Sequence, residues 1–165
     1  MTGERNLPLK RGERMDAQSA RLNPALFSAN SEHWSTPKRL FAELNKEFHF
    51  TMDPCPLHGD SVDLGPLMNH WGGERVFVNP PYGPEISKWL SRWNEAALAV
   101  YLLPARTDTR WFHDIVLPNA NEIRFIRGRL KFGDSINAAP FPSIIIVFDS
   151  ARKITHTHIC QGSKE

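Results

Sequence analysis

The residues with the clearest chemical use are Asn79-Pro80-Pro81-Tyr82, which follow the short run Arg75-Val76-Phe77-Val78. An amine attached to a heteroaromatic ring is a poor nucleophile, because its lone pair is delocalised. Two fixed acceptors can take its two N–H bonds and favour the geometry in which the lone pair attacks. Asn79 offers a side-chain carbonyl oxygen. Pro80 offers a backbone carbonyl whose direction the double proline fixes. Tyr82 offers a flat face on which a ring can stack. Such a site needs no strong base and works by orientation and preorganised polarity. The plainer reading is a turn followed by a packed aromatic, which is common. A string of this type arises by chance on the order of once per hundred chains of this length. Its surroundings therefore have to add weight.

They do. Val76 to Val78 is β-branched and aromatic, as a buried strand requires. Proline cannot continue the ladder, so the strand stops at Asn79. Ile86, Trp89, Leu90, Trp93 and Ala97 then mark an amphipathic helix. A strand-to-helix bend at a strand's carboxyl end is where open α/β sheets bind ligands.

The rest of the chain supplies the elements around this bend. Residues 1–31 are polar, carry Arg5, Lys10, Arg11, Arg14 and Arg21, and read as a flexible basic arm. The folded domain is expected over 32–160. Thr36 is placed to cap a helix with Pro37 at its first position. Leu40, Phe41, Leu44 and Phe48 share one face of that helix. Phe48 to Met52 alternates and reads as a strand ending in Asp53-Pro54-Cys55. A carboxylate there can accept from a ribose hydroxyl or an ammonium group. The plainer role for Asp53 is to cap a turn before proline. Residues 59–73 read as a loop in which Asp63 and Asn69 are alternative acceptors for the ring amine of a bound cofactor.

Leu98 to Leu103 is apolar throughout, as a sheet interior demands. Trp111 to Val116 reads as a short helix. Ile123 to Arg127 and Lys131-Phe132 read as strand material around Gly128. Ser143 to Phe148 is the expected final strand. His156, His158 and Cys160 belong on an edge strand or tail.

Composition bounds the function. The 165 residues suffice for one domain with its own core. No apolar run has the length of a membrane span. No signal-peptide core opens the chain, so a cytoplasmic protein is expected. Two cysteines, Cys55 and Cys160, make no disulfide framework. Asp53, Cys55 and His58 lack a second ligand pair, so no metal is expected. Net charge is +2 but unevenly spread. Trp34 to Leu103 holds six Lys/Arg against eight Asp/Glu, and Pro104 to Gly133 holds six against three. That basic segment suits a phosphate-tracking surface, or simply a solvated loop face.

Together these motifs resemble a phage-type DNA adenine methyltransferase family (Dam-like), over about Trp34 to Asp149. The resemblance rests on Trp34-Ser35-Thr36-Pro37, Asp53-Pro54-Cys55, Asn79-Pro80-Pro81-Tyr82-Gly83 and Leu103-Pro104-Ala105-Arg106-Thr107-Asp108-Thr109. Gly128-Arg129-Leu130-Lys131-Phe132 and Phe141-Pro142-Ser143 complete it. It implies a single-domain, Rossmann-like α/β methyltransferase fold, mostly parallel with a final antiparallel strand.

It also implies transfer of a methyl group from S-adenosyl-L-methionine to the exocyclic amine of adenine in DNA. The catalytic residues would be Asn79, Pro80, Pro81 and Tyr82. Trp34, Thr36, Pro37, Asp53 and Pro54 would contact the cofactor. Because an in-duplex base cannot reach such a pocket, the adenine would be flipped out. Arg106, Arg129 and Lys131 would touch phosphates, and Phe132 would be a second base contact. A phage- or prophage-encoded, monomeric enzyme in a bacterial cytoplasm is the expected setting, with DNA modification as its role. The glycine-rich turn usual in methyltransferase cofactor sites is missing from Pro54-Cys55-Pro56-Leu57-His58-Gly59. The competing expectations are a methyltransferase acting on RNA or on a protein glutamine amide, and a non-catalytic nucleic-acid-binding module.

Overall fold

A computed structural model describes residues 34–55, 70–133 and 135–152, together with the backbone of 157–161. The expected basic arm, His58, Asp63 and Asn69 lie outside the described residues.

Helix α1, Lys38–Phe48, forms where the apolar spacing predicts it, with Leu44 and Phe48 buried. Pro37 is its N-cap, and no side chain caps the helix. Thr36 therefore does not cap the helix, as the sequence suggested; its hydroxyl is committed elsewhere. The helix ends at His49, which takes the left-handed conformation at φ 51°. The Asn45 side-chain oxygen accepts from the Phe50 N–H at 2.9 Å. This left-handed exit corrects the expected strand over Phe48 to Met52. Phe48 belongs to the helix, and only Met52 pairs, through a parallel bridge to Val76.

Among the described residues five strands follow: β1 Arg75–Val78, β2 Leu98–Pro104, β3 Glu122–Ile126, β4 Ser143–Asp149 and β5 Thr157–Gln161. They lie in the order β1-β2-β4-β3-β5. β1 pairs with β2, and β3 with β5, in parallel; β4 pairs antiparallel with both β2 and β3. The sheet is mixed, with two of its four pairings parallel. The antiparallel strand expected at the end is β4, inside the sheet, and β5 adds an edge beyond it. Lys131-Phe132, read as strand material, lies outside β3 in the following loop.

Alternation along the strands sends side chains to two faces. Phe77, Leu98, Val100, Leu102, Ile145 and Val147 meet α1, Phe132 and Ala139 on one face. Val76, Val78, Tyr101, Leu103, Ile144 and Ile146 meet the helices of the other face. There lie α2, Ile86–Leu90, and a wide turn, Phe112–Val116, that runs into α3, Leu117–Asn119. α2 is shorter than its sequence pattern, because Trp93–Glu95 tightens into a 3₁₀ turn before β2. Trp89 is buried and Trp93 stacks on Phe148 at 5.1 Å, so both serve the core.

Candidate active site

β1 delivers Asn79 to the sheet's edge, with Val76, Phe77 and Val78 fully buried behind it. The Met52–Val76 bridge sets Asp53 on the neighbouring chain segment at the same end. Thus the two motifs, 26 positions apart in the numbering, leave adjacent strand positions in the same direction.

The Asn79 amide is held on its nitrogen side. Nδ2 donates to the Trp34 carbonyl and to the Thr36 hydroxyl, the latter at 2.9 Å. A backbone carbonyl can only accept, so the group facing Trp34 must be the NH₂. The Oδ1 atom is thereby turned away, buried and without a partner among the described residues. A buried acceptor left unpaired costs about 1–3 kcal/mol. Such orphans in native structures call for an explanation, of which a catalytic role is one.

Tyr82 stands beside it in a cluster of rings. Its ring meets Phe141 edge-on at 5.5 Å and Phe132 at 6.1 Å. Trp34 meets both of those rings at 5.2 Å. The Tyr82 hydroxyl donates to the Leu102 carbonyl at 3.4 Å, a long bond. Burial drives the phenol well above its ordinary range, so it stays neutral. Pro80 is buried and Pro81 half-buried.

Asp53 Oδ1 accepts from the Cys55 N–H at 2.9 Å, so the turn-capping role is real. Its second oxygen has no partner among the described residues. Asp53 is exposed on one side, but the chain packed around its carboxyl raises it by desolvation, and the Cys55 N–H partly offsets this. Pro54 is buried behind it. A partly desolvated carboxylate with a free oxygen is suited to a cationic or hydroxyl-bearing ligand.

The basic candidates divide. Arg106 and Lys131 are exposed and have no ion-pair partner among the described residues. Arg129 is exposed but donates to the Ala139 carbonyl at 3.3 Å. Arg124, counted in the basic segment, is spent internally: it bridges Glu47 and Glu122 at 2.6 Å each. Phe132 is only 4% exposed and braces Tyr82 and Trp34.

Thus Trp34, Thr36, Asn79, Tyr82 and Phe132 converge. Sequence reasoning assigned Trp34 and Thr36 a cofactor role and missed their hold on Asn79. It also left Phe141 without a role, although its place just before a strand was visible.

A family model described as DNA N-6-adenine-methyltransferase (Dam) matches residues 25–152. The chain belongs to that family. The match takes in every site residue above, and it makes this protein a DNA adenine methyltransferase. Members of the Dam family generally use S-adenosylmethionine. Comparison with curated proteins and with solved structures gives no match. Among the described residues no helix of this Dam-family enzyme is long and apolar enough to cross a membrane.

Proposed function

We propose that this chain methylates the exocyclic amine of an adenine turned out of duplex DNA and received at Asn79-Pro80-Pro81-Tyr82. The observation that carries the reading is Asn79 Oδ1: an acceptor oriented by two bonds to Nδ2, yet itself unpaired. An adenine amine would supply its missing donor. Asn79 then holds one amine hydrogen and the Pro80 carbonyl the other, which turns the nitrogen lone pair toward the methyl group. Because the ring amine is neutral, no side chain has to remove a proton before attack. The new N–CH₃ bond would form as the methyl–sulfur bond breaks and leaves a neutral thioether; two carbonyl dipoles stabilise the positive charge on the nitrogen, whose extra proton would then pass to water.

Tyr82 supports the base with its ring face. Phe132 and Phe141 hold that ring edge-on and limit its rotation. Asn79 Oδ1 is buried here, so a base has to displace whatever covers it to reach that oxygen. The unpairing and unstacking of that base costs a few kcal/mol. Exposed Arg106, Arg129 and Lys131 would repay part of it by holding phosphates.

The cofactor supplies an activated methyl group on sulfur. Asp53 fits a role in holding it, through its free oxygen toward an ammonium or ribose hydroxyl. Trp34, Thr36, Pro37 and Pro54 would line the same end. The strand directions favour a Rossmann-like methyltransferase sheet, since β4 alone runs against the other four. The catalytic domain would then span 32–160 behind a basic arm, 1–31.

The test is Asn79→Ala in single-turnover methylation of duplex DNA with labelled cofactor. Transfer should fall by ~10²–10³, the scale for one preorganised polar group. The fold should persist by circular dichroism, because the proline bend stays. Near-parental transfer by the folded variant would overturn the mechanism.

A further inference from the structure

We propose that Ile136 is an apolar wedge that enters the base stack where the target adenine leaves it. The inference rests on the base-extrusion reading above. Ile136 is 89% exposed, the sole large hydrophobic so placed among the described residues. An isolated exposed isoleucine means little by itself. Three observations give this one a direction.

Its loop is rooted in the site. The Gly133 N–H donates to the Ser35 carbonyl at 2.8 Å. Gly133 has φ +55°, and a Cβ there would lie 3.3 Å from Ser35 Cβ. Glycine is what lets the loop approach this segment so closely. Ser35 sits between Trp34 and Thr36, the two residues that orient Asn79. Ile136 follows Gly133 by three residues, a reach of at most ~11 Å.

The tip is preorganised. The Ser135 N–H donates to the Phe132 carbonyl at 3.1 Å, and the Ser135 hydroxyl to the Asn137 carbonyl at 3.0 Å. The Ala139 N–H closes the loop on the Leu130 carbonyl at 2.8 Å. An exposed hydrophobic side chain on a braced turn is presented outward at no further ordering cost.

The charge is right for DNA. Arg127, Arg129 and Lys131 are exposed on the entry to the loop, and Asp134 is the only acid between Arg127 and Pro142. Cations that grip phosphates beside an apolar tip would drive it toward a groove. Wedges of this kind insert between base steps and offset the lost stacking. Isoleucine brings bulk without a polar group that would need a partner there.

The experiment uses the full chain and a duplex carrying a site identified by methylation-sensitive sequencing of DNA from expressing cells. Ile136→Ala and Ile136→Leu are compared with the parent on that duplex and on one with an abasic site opposite the target adenine. Extrusion from the second duplex is already easy. Ile136→Ala should slow single-turnover transfer about tenfold or more on the paired duplex. On the abasic duplex it should stay within about twofold of the parent, and Ile136→Leu should resemble the parent on both. Equal losses on both duplexes, or no loss on the paired one, would overturn the wedge alone. A parent inactive on both would overturn the extrusion reading together with it.

Discussion

Asn79 and Thr36 are joined side chain to side chain: Nδ2 of the amide donates to the threonine hydroxyl at 2.9 Å across 43 residues of sequence. The Trp34 carbonyl takes the same NH₂ group. The amide is thus anchored on its donor side, and only its oxygen is left to meet a substrate. Thr36→Val keeps the shape and removes the acceptor. One net hydrogen bond of about 0.5–1.5 kcal/mol corresponds to roughly 2–10-fold in transfer rate. Thr36→Ser should restore the parental rate. If Thr36 acts through Asn79, Thr36→Val should add little to Asn79→Ala. Additive losses in single-turnover assays would assign Thr36 a separate contact.

Tyr82 and Phe132 separate by role. The Tyr82 hydroxyl makes only a 3.4 Å bond to Leu102, so Tyr82→Phe should cost less than about 1 kcal/mol and leave transfer near normal. Phe132 is buried among Trp34, Tyr82 and Phe141. Phe132→Ala should destabilise the fold by about 3–5 kcal/mol in urea denaturation. Unchanged stability with weakened DNA binding would assign Phe132 the role of base contact instead.

The legibility of this chain follows from the range of each interaction. β1, β2 and β4 were visible because their residues are apolar on both faces, and nothing remote had to be known. The Asn79 bend was visible because two prolines act locally. Phe48 to Met52 misled, because its alternation continues a helix face through a left-handed turn at His49. Thr36 misled for the opposite reason: a helix-capping residue was claimed by an amide 43 positions away. Arg124 read as surface charge, yet two carboxylates from α1 and β3 bury it. For Phe132 the sequence suggested a base contact and could not show the packing on Trp34, Tyr82 and Phe141 that the fold adds.

Arg124 carries a stability prediction. Its guanidinium bridges Glu47 and Glu122 and lies over the Phe48 ring at 5.0 Å, with 6% of its side chain exposed. It ties the end of α1 to β3. Arg124→Ala leaves Glu122 buried without its cation, and a loss of about 3–5 kcal/mol is expected. The Arg124 hydrogen bond holds the Glu47 carboxyl below its ordinary value. That contribution is therefore present above the ordinary value and lost as pH falls through the lowered one. Because Glu47 is 47% exposed, Glu47→Gln should cost at most about 1 kcal/mol at neutral pH. Denaturant titrations of both variants at neutral and acid pH check the ordering. A larger loss from Glu47→Gln than from Arg124→Ala would contradict it.

Asp53 gives a pH dependence for cofactor binding. Desolvation holds its carboxyl above the ordinary value, so the free enzyme keeps a proton there to higher pH than an aspartate free in water would. A cationic ammonium binds the ionised form. Affinity for S-adenosylmethionine should therefore rise as pH increases through the raised Asp53 value, and then level off. Stability of the free protein should move the other way over the same window. The native state binds the proton more tightly than the unfolded chain, so ionising Asp53 removes stability as pH rises. Asp53→Asn should flatten both trends while keeping the acceptor for the Cys55 N–H. It should weaken cofactor binding by more than it weakens DNA binding. Calorimetric titrations with the cofactor across acid to neutral pH, for parent and variant, are the measurement. Equal affinities and equal pH slopes would remove Asp53 from the cofactor site and leave it as the cap of its own turn.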